Sequence, residues 1–282
     1  RGQVLALKRT GYGRNILPHF QRIADLIQLQ AYIRRDFNSR ARKNPLVFQA
    51  AIKAAALLKV VHALTLLETQ GIFSLSDYFE KMHAKQEKGD KTKSLALIMK
   101  AGEIQKAMQL TEELKAKGIN HPKINKLVEI LQKQFSENPE SRVIVFNHYR
   151  DSVKSLLKEL EKFPEIKPVR FVGQANKEND KGLSQKQQAK TIIEFKEGKF
   201  NTLIASSVGE EGIDIPQVDL VVFYEPVPSE IRFIQRRGRT GRLNEGKCII
   251  LMAKGTRDEA FYWSSVSKEK KDRIAFQRMM LG

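Results

Sequence analysis

Arg142-Val-Ile-Val-Phe146 is a short apolar run, and an amphipathic helical pattern over Ser152–Lys162 follows it. The alternation repeats: Val169-Arg-Phe-Val172, a helical pattern over Ser184–Glu197, then Thr202-Leu-Ile-Ala205. Two further apolar runs, Leu220-Val-Val-Phe-Tyr224 and Lys247–Ala253, come later. Runs of four to seven apolar residues are the length of buried strands, and helices of ten to fifteen residues between them imply right-handed βαβ crossovers. Residues 139–282 are therefore expected to form an α/β domain, a parallel sheet flanked by helices. Its tail, Thr256–Met280, reads as a helix.

Upstream the texture is different. Residues 1–14 show no periodicity and read as a linker, whereas 15–138 are helical throughout and are expected to be an all-α domain. Ile16, Phe20, Ile23, Ile27 and Ala31 recur at three and four. Pro45 opens a second helix with a stripe of Val47, Ala50, Ala54, Leu57, Val61 and Leu64, and Gly71 suits its C-terminal stop. Ser74 or Ser76 is expected to cap the next helix, Asp77–Lys88. Helices over Ser94–Lys100 and Glu103–Lys117 follow, and Pro122 begins one lined by Ile124, Leu127, Val128, Leu131 and Phe135.

The chain of 282 residues carries a formal charge of +18 and a pI near 9.9, with the excess spread over both halves, so a polyanionic partner is expected. Its single cysteine, Cys248, lies in an apolar run and reads as a buried, inert thiol, which suits a reducing cytoplasm. The most apolar helical stretch, Ala54–Leu67, is interrupted by Lys59 and His62 and reads as too short and too charged for a bilayer; no membrane partner is expected. The N-terminus lacks the order of a signal peptide. His19, His62, His83 and His121 show no paired ligand spacing, so no metal is assigned to the chain.

Two segments carry chemistry. Gln235-Arg236-Arg237-Gly238-Arg239-Thr240-Gly241-Arg242 packs four arginines and two glycines into eight residues. Arginine offers a planar charged fork matched to phosphate, and glycine lets the backbone come close. On composition alone a solvated basic loop fits equally well. Upstream stands Ala205-Ser206-Ser207-Val208-Gly209-Glu210-Glu211-Gly212-Ile213-Asp214-Ile215-Pro216. In order and spacing the pair resembles motifs V and VI of superfamily 2 helicases. Phe171-Val-Gly-Gln-Ala175, Phe223-Tyr-Glu-Pro-Val-Pro-Ser229, Ala253-Lys-Gly-Thr-Arg-Asp-Glu-Ala260 and Leu66-Leu-Glu-Thr-Gln-Gly71 narrow the likeness. They resemble the archaeal Hef helicase-nuclease and the eukaryotic Fanconi anaemia M and Mph1 translocases, which remodel forked and branched DNA. The dsRNA sensors of the RIG-I group share the architecture and are the alternative, as dsRNA-dependent ATPases.

The resemblance implies a RecA-like fold for residues 139–282 and an inserted helical domain for 15–138. In the family, two RecA-like domains clamp ATP, and the first holds phosphates and Mg²⁺. This sequence has no Gly-x-x-x-x-Gly-Lys-Ser/Thr and no Asp-Glu-x-His box, so it is expected to depend on an N-terminal RecA-like domain and to be inactive alone as an ATPase. Arg239 and Arg242 match the arginine fingers, with Gln235 ordering the site. Gly212 and Asp214 match positions that approach the nucleotide; Asp214 also fits a turn residue before Pro216. Asn147, His148, Arg150, Gly173, Gln174, Ser206 and Ser207 match positions that contact nucleic acid, although Arg150 also fits an ordinary surface helix residue. In the helical half, Arg34, Arg35, Arg40, Arg42 and Lys43 form a basic cluster suited to duplex phosphates or to a helix C-terminus. Lys85, Lys88, Lys91 and Lys93 form a second. ATP and Mg²⁺ are the implied cofactors, forked or branched DNA the implied substrate, and a C-terminal nuclease domain a possible neighbour. An archaeal protein of this kind works in the cytoplasm with the nucleoid, a eukaryotic one in the nucleus. A nucleic-acid-binding module without motor activity, or a helical platform for protein partners, remains the reading from another class.

Overall fold

The computed structural model describes residues 31, 33, 35, 45–174, 182–206, 217–226, 247–263 and 266. The chain divides into two compact units, Arg1–Leu67 with Leu75–Ile119, and Glu68–Ser74 with Asn120–Gly282.

The first unit is helical in its described residues. Helix α1 (Pro45–Thr69) gives it all but its last turn, and α2 (Ile72–Glu87), α3 (Lys93–Met99) and α4 (Gly102–Ala116) follow. Ala56 and Ala63 of α1 pack with Leu75, Phe79 and Met82 of α2, Leu95, Ile98 and Met99 of α3, and Met108 of α4. The small side chains on α1 let the larger ones opposite approach closely. Each fully buried Leu, Phe or Met stabilises the bundle by about 1.5–3 kcal/mol. At α4, Lys115 Nζ donates to Glu80 Oε1 (2.7 Å) and to Ser76 Oγ (2.8 Å), and Ser76 donates to Glu112 (2.6 Å).

Three expectations for this half need correction. Ser74 and Ser76 do not cap α2; they lie inside it, because Gly71 at φ +95° reverses the chain in one residue and the helix starts at Ile72. The apolar stripe drifts along α1, so Leu64 is exposed while Ala63 and Leu66 are buried. Helix α1 spans the stretch that Pro45 and Gly71 mark out, but the reading of it as too short and too charged for a bilayer needs correction: at 25 residues it is long and apolar enough to cross a membrane by length and composition, a test that core helices pass too. Its residues Ala50, Ala54, Ala56 and Ala63 are buried in the protein.

The second unit begins one helix earlier than expected. Helix α5 (Pro122–Glu137) packs with the sheet, not with the bundle, so the boundary falls near residue 120 rather than at 138. Periodicity cannot tell which core a helix's apolar face will join. Five strands follow, β1 (Val143–Phe146), β2 (Pro168–Phe171), β3 (Thr202–Ala205), β4 (Leu220–Phe223) and β5 (Lys247–Ile250), with helices α6 (Arg150–Leu160) and α7 (Gln185–Lys196) in the first two crossovers. All pairings are parallel, in the order β2-β3-β1-β4-β5. Each predicted strand is present.

Side chains alternate between the faces. Val143 and Val145 of β1 join Leu127 and Leu131 of α5 and Val153, Leu156 and Leu160 of α6 on one face. Ile144 and Phe146 join Phe171, Phe195 of α7, Leu203 and Phe223 on the other, where the Phe146 and Phe223 rings stack at 5.4 Å. Both faces of the central strands are covered, which explains their unbroken apolar runs. Helix α7 starts in a reciprocal cap: Ser184 Oγ accepts from Gln187 N, and Gln187 Oε1 accepts from Ser184 N. Cys248 is another correction. Its strand is paired with β4 alone among the described residues and the residue is exposed, although partial burial still raises its thiol above the ordinary value, as suits an inert group. Residues 257–263 are helical, as the tail was expected to be.

Candidate nucleic-acid interface at the carboxyl edge of the sheet

Because every strand runs the same way, all carboxyl ends meet on one edge. Asn147 and His148 follow β1, Gly173 and Gln174 lie just past β2, Ser206 follows β3, and Tyr224 and Glu225 follow β4. Neighbouring strands lie about 4.8 Å apart, so residues from β2, β3, β1 and β4 form one row. The chain leaves β1 toward β2 on one side and β4 toward β5 on the other. Such a divergence opens the crevice in which open parallel sheets bind ligands.

Here that crevice holds a buried polar network. Gln70, from the turn between α1 and α2, donates through Nε2 to Glu225 Oε2 (3.1 Å) and accepts through Oε1 from Asn147 Nδ2 (3.2 Å). Asn147 Oδ1 accepts from the Tyr149 N–H (3.0 Å), and Glu225 Oε1 accepts from the His148 N–H. Gln70, Asn147 and Glu225 are 4%, 1% and 5% exposed. Deeper in, Lys123 Nζ pairs with Asp258 Oδ2 (2.7 Å), donates to the Tyr224 carbonyl (2.8 Å) and lies 4.6 Å from the Tyr224 ring centroid. Asp258, fully buried, also accepts from Ala253 N (3.0 Å). A buried charge is tolerated only when paired and hydrogen-bonded, as both are here.

The turn itself is held by His121. Its Nδ1 accepts from Lys123 N (3.2 Å) as the N-cap of α5, which leaves Nε2 to donate to the Glu68 carbonyl (3.0 Å). Burial, and then the charge of Lys123, hold its imidazole below the ordinary range, so it is neutral at pH 7. A Cβ on Gly71 would stand 2.7 Å from His121 Cβ, which makes glycine obligatory there. Ser74 Oγ donates to Ser152 Oγ of α6 (3.0 Å). Burial raises the Tyr149 phenol to about 12 and holds that of Tyr224 well above its ordinary value.

The sequence-predicted residues fare differently. His148 and Gln174 are exposed on the row, and Gly173 and Ser206 lie buried within it. Asn147 is buried with both ends of its amide engaged in the chain, so it shapes the row from beneath; Arg150 is buried at the start of α6. Arg35 is exposed in the first unit, and Lys85, Lys88, Lys91 and Lys93 are exposed about the loop between α2 and α3. Ser207, Gly212, Asp214, Gln235, Arg239, Arg242, Arg34, Arg40, Arg42 and Lys43 lie outside the described residues. Local sequence patterns give Gln70, His121, Lys123, Glu225 and Asp258 no role in the site. Gln70, Glu225 and Asp258 do fall in stretches that carried the family resemblance, which was the available signal.

Comparison with known proteins matches this division of the chain. The helicase conserved C-terminal domain matches residues 122–244, and the helical bundle of ATP-dependent RNA helicases matches 21–120. The crystal structure of the Pyrococcus furiosus Hef helicase domain superposes on 94% of this chain and 55% of its own length, with TM-score 0.69 and 41% identity. The homologues of this chain are Hef, Mph1 and Fanconi anaemia M helicases. A family member from Methanocaldococcus jannaschii, named as an ATP-dependent RNA helicase, is 43% identical over 79% of this chain and 27% of its own length. The ATP-dependent DNA helicase mph1 of Neurospora crassa is 38% identical over 83% of this chain and 20% of its own. The Fanconi anemia group M protein homolog of Mus musculus is 40% identical over 54% and 8%. The chain thus spans about a quarter or less of these curated family members.

Proposed function

We propose that this chain is the helical insertion and second RecA-like domain of an ATP-dependent helicase or translocase that remodels forked or branched DNA. The observation that carries the reading is the row of strand ends at one sheet edge, with His148 and Gln174 exposed on it. Phosphates are held by such loops, through hydroxyls, backbone N–H groups and side-chain donors, without reading sequence. The charge of +18 adds salt-dependent affinity for any polyphosphate backbone.

ATP would be shared with an N-terminal RecA-like domain carrying the P-loop. The donor set of this chain suits that division. Arg239 and Arg242 fit the γ-phosphate, where their charge opposes the charge that develops as the phosphoryl group transfers. Gln235 orders them, and Gly212 and Asp214 fit the nucleotide. Mg²⁺ asks for carboxylates, and among the described residues no three His, Cys, Asp or Glu side chains are grouped for a metal. On this reading the family resemblance assigns the ion to the other domain, and the isolated chain is inactive as an ATPase. A nuclease domain C-terminal to these units, and action on the genome in the archaeal cytoplasm or eukaryotic nucleus, belong to the same reading.

In the full-length protein, Arg239→Ala with Arg242→Ala should lower DNA-stimulated ATP hydrolysis by about 10³-fold or more while DNA affinity holds. An unchanged rate overturns the finger assignment. The second reading, a dsRNA-dependent ATPase, draws on the RNA helicase name of the M. jannaschii family member. Affinity for forked DNA, linear duplex, single strand and dsRNA at two salt concentrations separates the two. Reversing charge at Arg34, Arg35, Arg40, Arg42 and Lys43 should flatten the salt dependence for forks; an unchanged slope removes that cluster from the interface.

A further inference from the structure

We infer that Gln70 is a positioning residue for nucleic-acid binding, setting the conformation of the Asn147–Tyr149 loop from a turn more than seventy residues upstream. The inference rests on the proposed binding role of the sheet's carboxyl edge.

Loop Asn147–Tyr149 hangs from two buried side chains. The His148 N–H donates to Glu225 and the Tyr149 N–H to Asn147 Oδ1. Gln70 bonds the other end of each acceptor, Glu225 Oε2 and Asn147 Nδ2. Gln70 suits the task because one amide end donates and the other accepts. Glu225 can only accept while ionised, and the Asn147 amide nitrogen can only donate. An alanine, a lysine or a carboxylate at position 70 satisfies at most one of them.

The chemistry argues for geometry over stability. A buried side-chain network is seldom better for stability than apolar packing, but fully satisfied it selects one arrangement. Here it selects the arrangement of the exposed His148, beside which the Tyr149 ring packs edge-on at 5.3 Å. The turn that carries Gln70 is equally determined, by the positive φ of Gly71 and the His121 bond to Glu68.

The test exchanges the donor and the acid. Gln70→Glu sets a carboxylate against Glu225. Gln70→Glu with Glu225→Gln keeps these three bonds: the new carboxylate accepts from Asn147 and from the new amide, whose oxygen accepts from His148. In this 282-residue chain, hydrogen exchange of the His148 and Tyr149 amides is measured without DNA, and affinity for a forked duplex at fixed salt alongside. The single substitution should accelerate exchange at both amides and weaken binding about tenfold, the loss that follows from leaving a buried group unsatisfied. The exchanged pair should restore most of both.

Amides that exchange alike in all variants overturn the inference. So does faster exchange with unchanged affinity, or weaker affinity that the exchanged pair fails to recover while the amides do. A parent chain that binds no DNA while its amides respond as described instead overturns the binding role of this edge.

Discussion

The two edges of the parallel sheet are built from similar residues and arranged in opposite ways. At the amino edge, polar side chains serve mainly backbone, although Ser141 Oγ also donates to Asp219 Oδ2 (3.3 Å). Asn201 accepts from Lys167 N and donates to the Glu165 carbonyl, both at 2.8 Å. Asp219 Oδ2 accepts from Arg142 N (2.7 Å), and Arg142 donates to the carbonyls of Phe195 and Glu140. These bonds finish strand ends and crossovers. At the carboxyl edge, buried side chains bond to one another across 77 to 155 residues of sequence. Backbone caps are locally replaceable, whereas a side-chain network fails as a unit. The first edge secures the fold, and the second shapes the place where ligands of such sheets bind.

Perturbing each edge separately tests that division. Lys123→Met at the carboxyl edge leaves Asp258 buried without its cation and should destabilise the second unit by about 3–5 kcal/mol, read from urea unfolding. Lys123→Met with Asp258→Leu should recover much of that loss. A small cost for the single substitution would mean that the pair is not buried as described. Gly71→Ala follows, at about 2–3 kcal/mol, since it forces a side chain into positive φ and against His121. Here the loss should extend to DNA affinity, because the turn carries Gln70.

Asn201→Ala at the amino edge should cost about 2 kcal/mol through its two backbone bonds while leaving DNA affinity unchanged. A loss of affinity there would end the distinction between the edges. The mildest effect concerns pH. His121 has a folded pKa below its unfolded value of about 6.5, so the unfolded chain binds the proton more readily. Stability should hold above pH 7 and fall as the pH drops below about 6.5. His121→Asn, which retains a capping side chain but does not titrate there, should flatten this part of the profile of Tm against pH.

Much was legible in the sequence because it is written locally. The central strands β1, β3 and β4 were readable as unbroken apolar runs, since both sheet faces are covered there and alternation is absent. Helix α5 was readable from Pro122 and from its stripe of Ile124, Leu127, Val128, Leu131 and Phe135. The arginine and glycine spacing of 235–242, with the motif that precedes it, carried the family. Reading failed where a local pattern has two possible partners. The α5 stripe fitted either unit, Ser74 and Ser76 looked like caps until Gly71 made the turn in their place, and Cys248 looked buried until its strand proved to be last in order.

What the chain determined by itself, then, is its elements, its charge and its family, because propensity, periodicity and motif spacing depend on neighbours a few residues away. Only the tertiary structure decided that Gln70, Asn147 and Glu225 share one buried network, and that Lys123 meets Asp258 across 135 residues. Such pairings follow from strand order and from the path of a turn, and no local pattern encodes either.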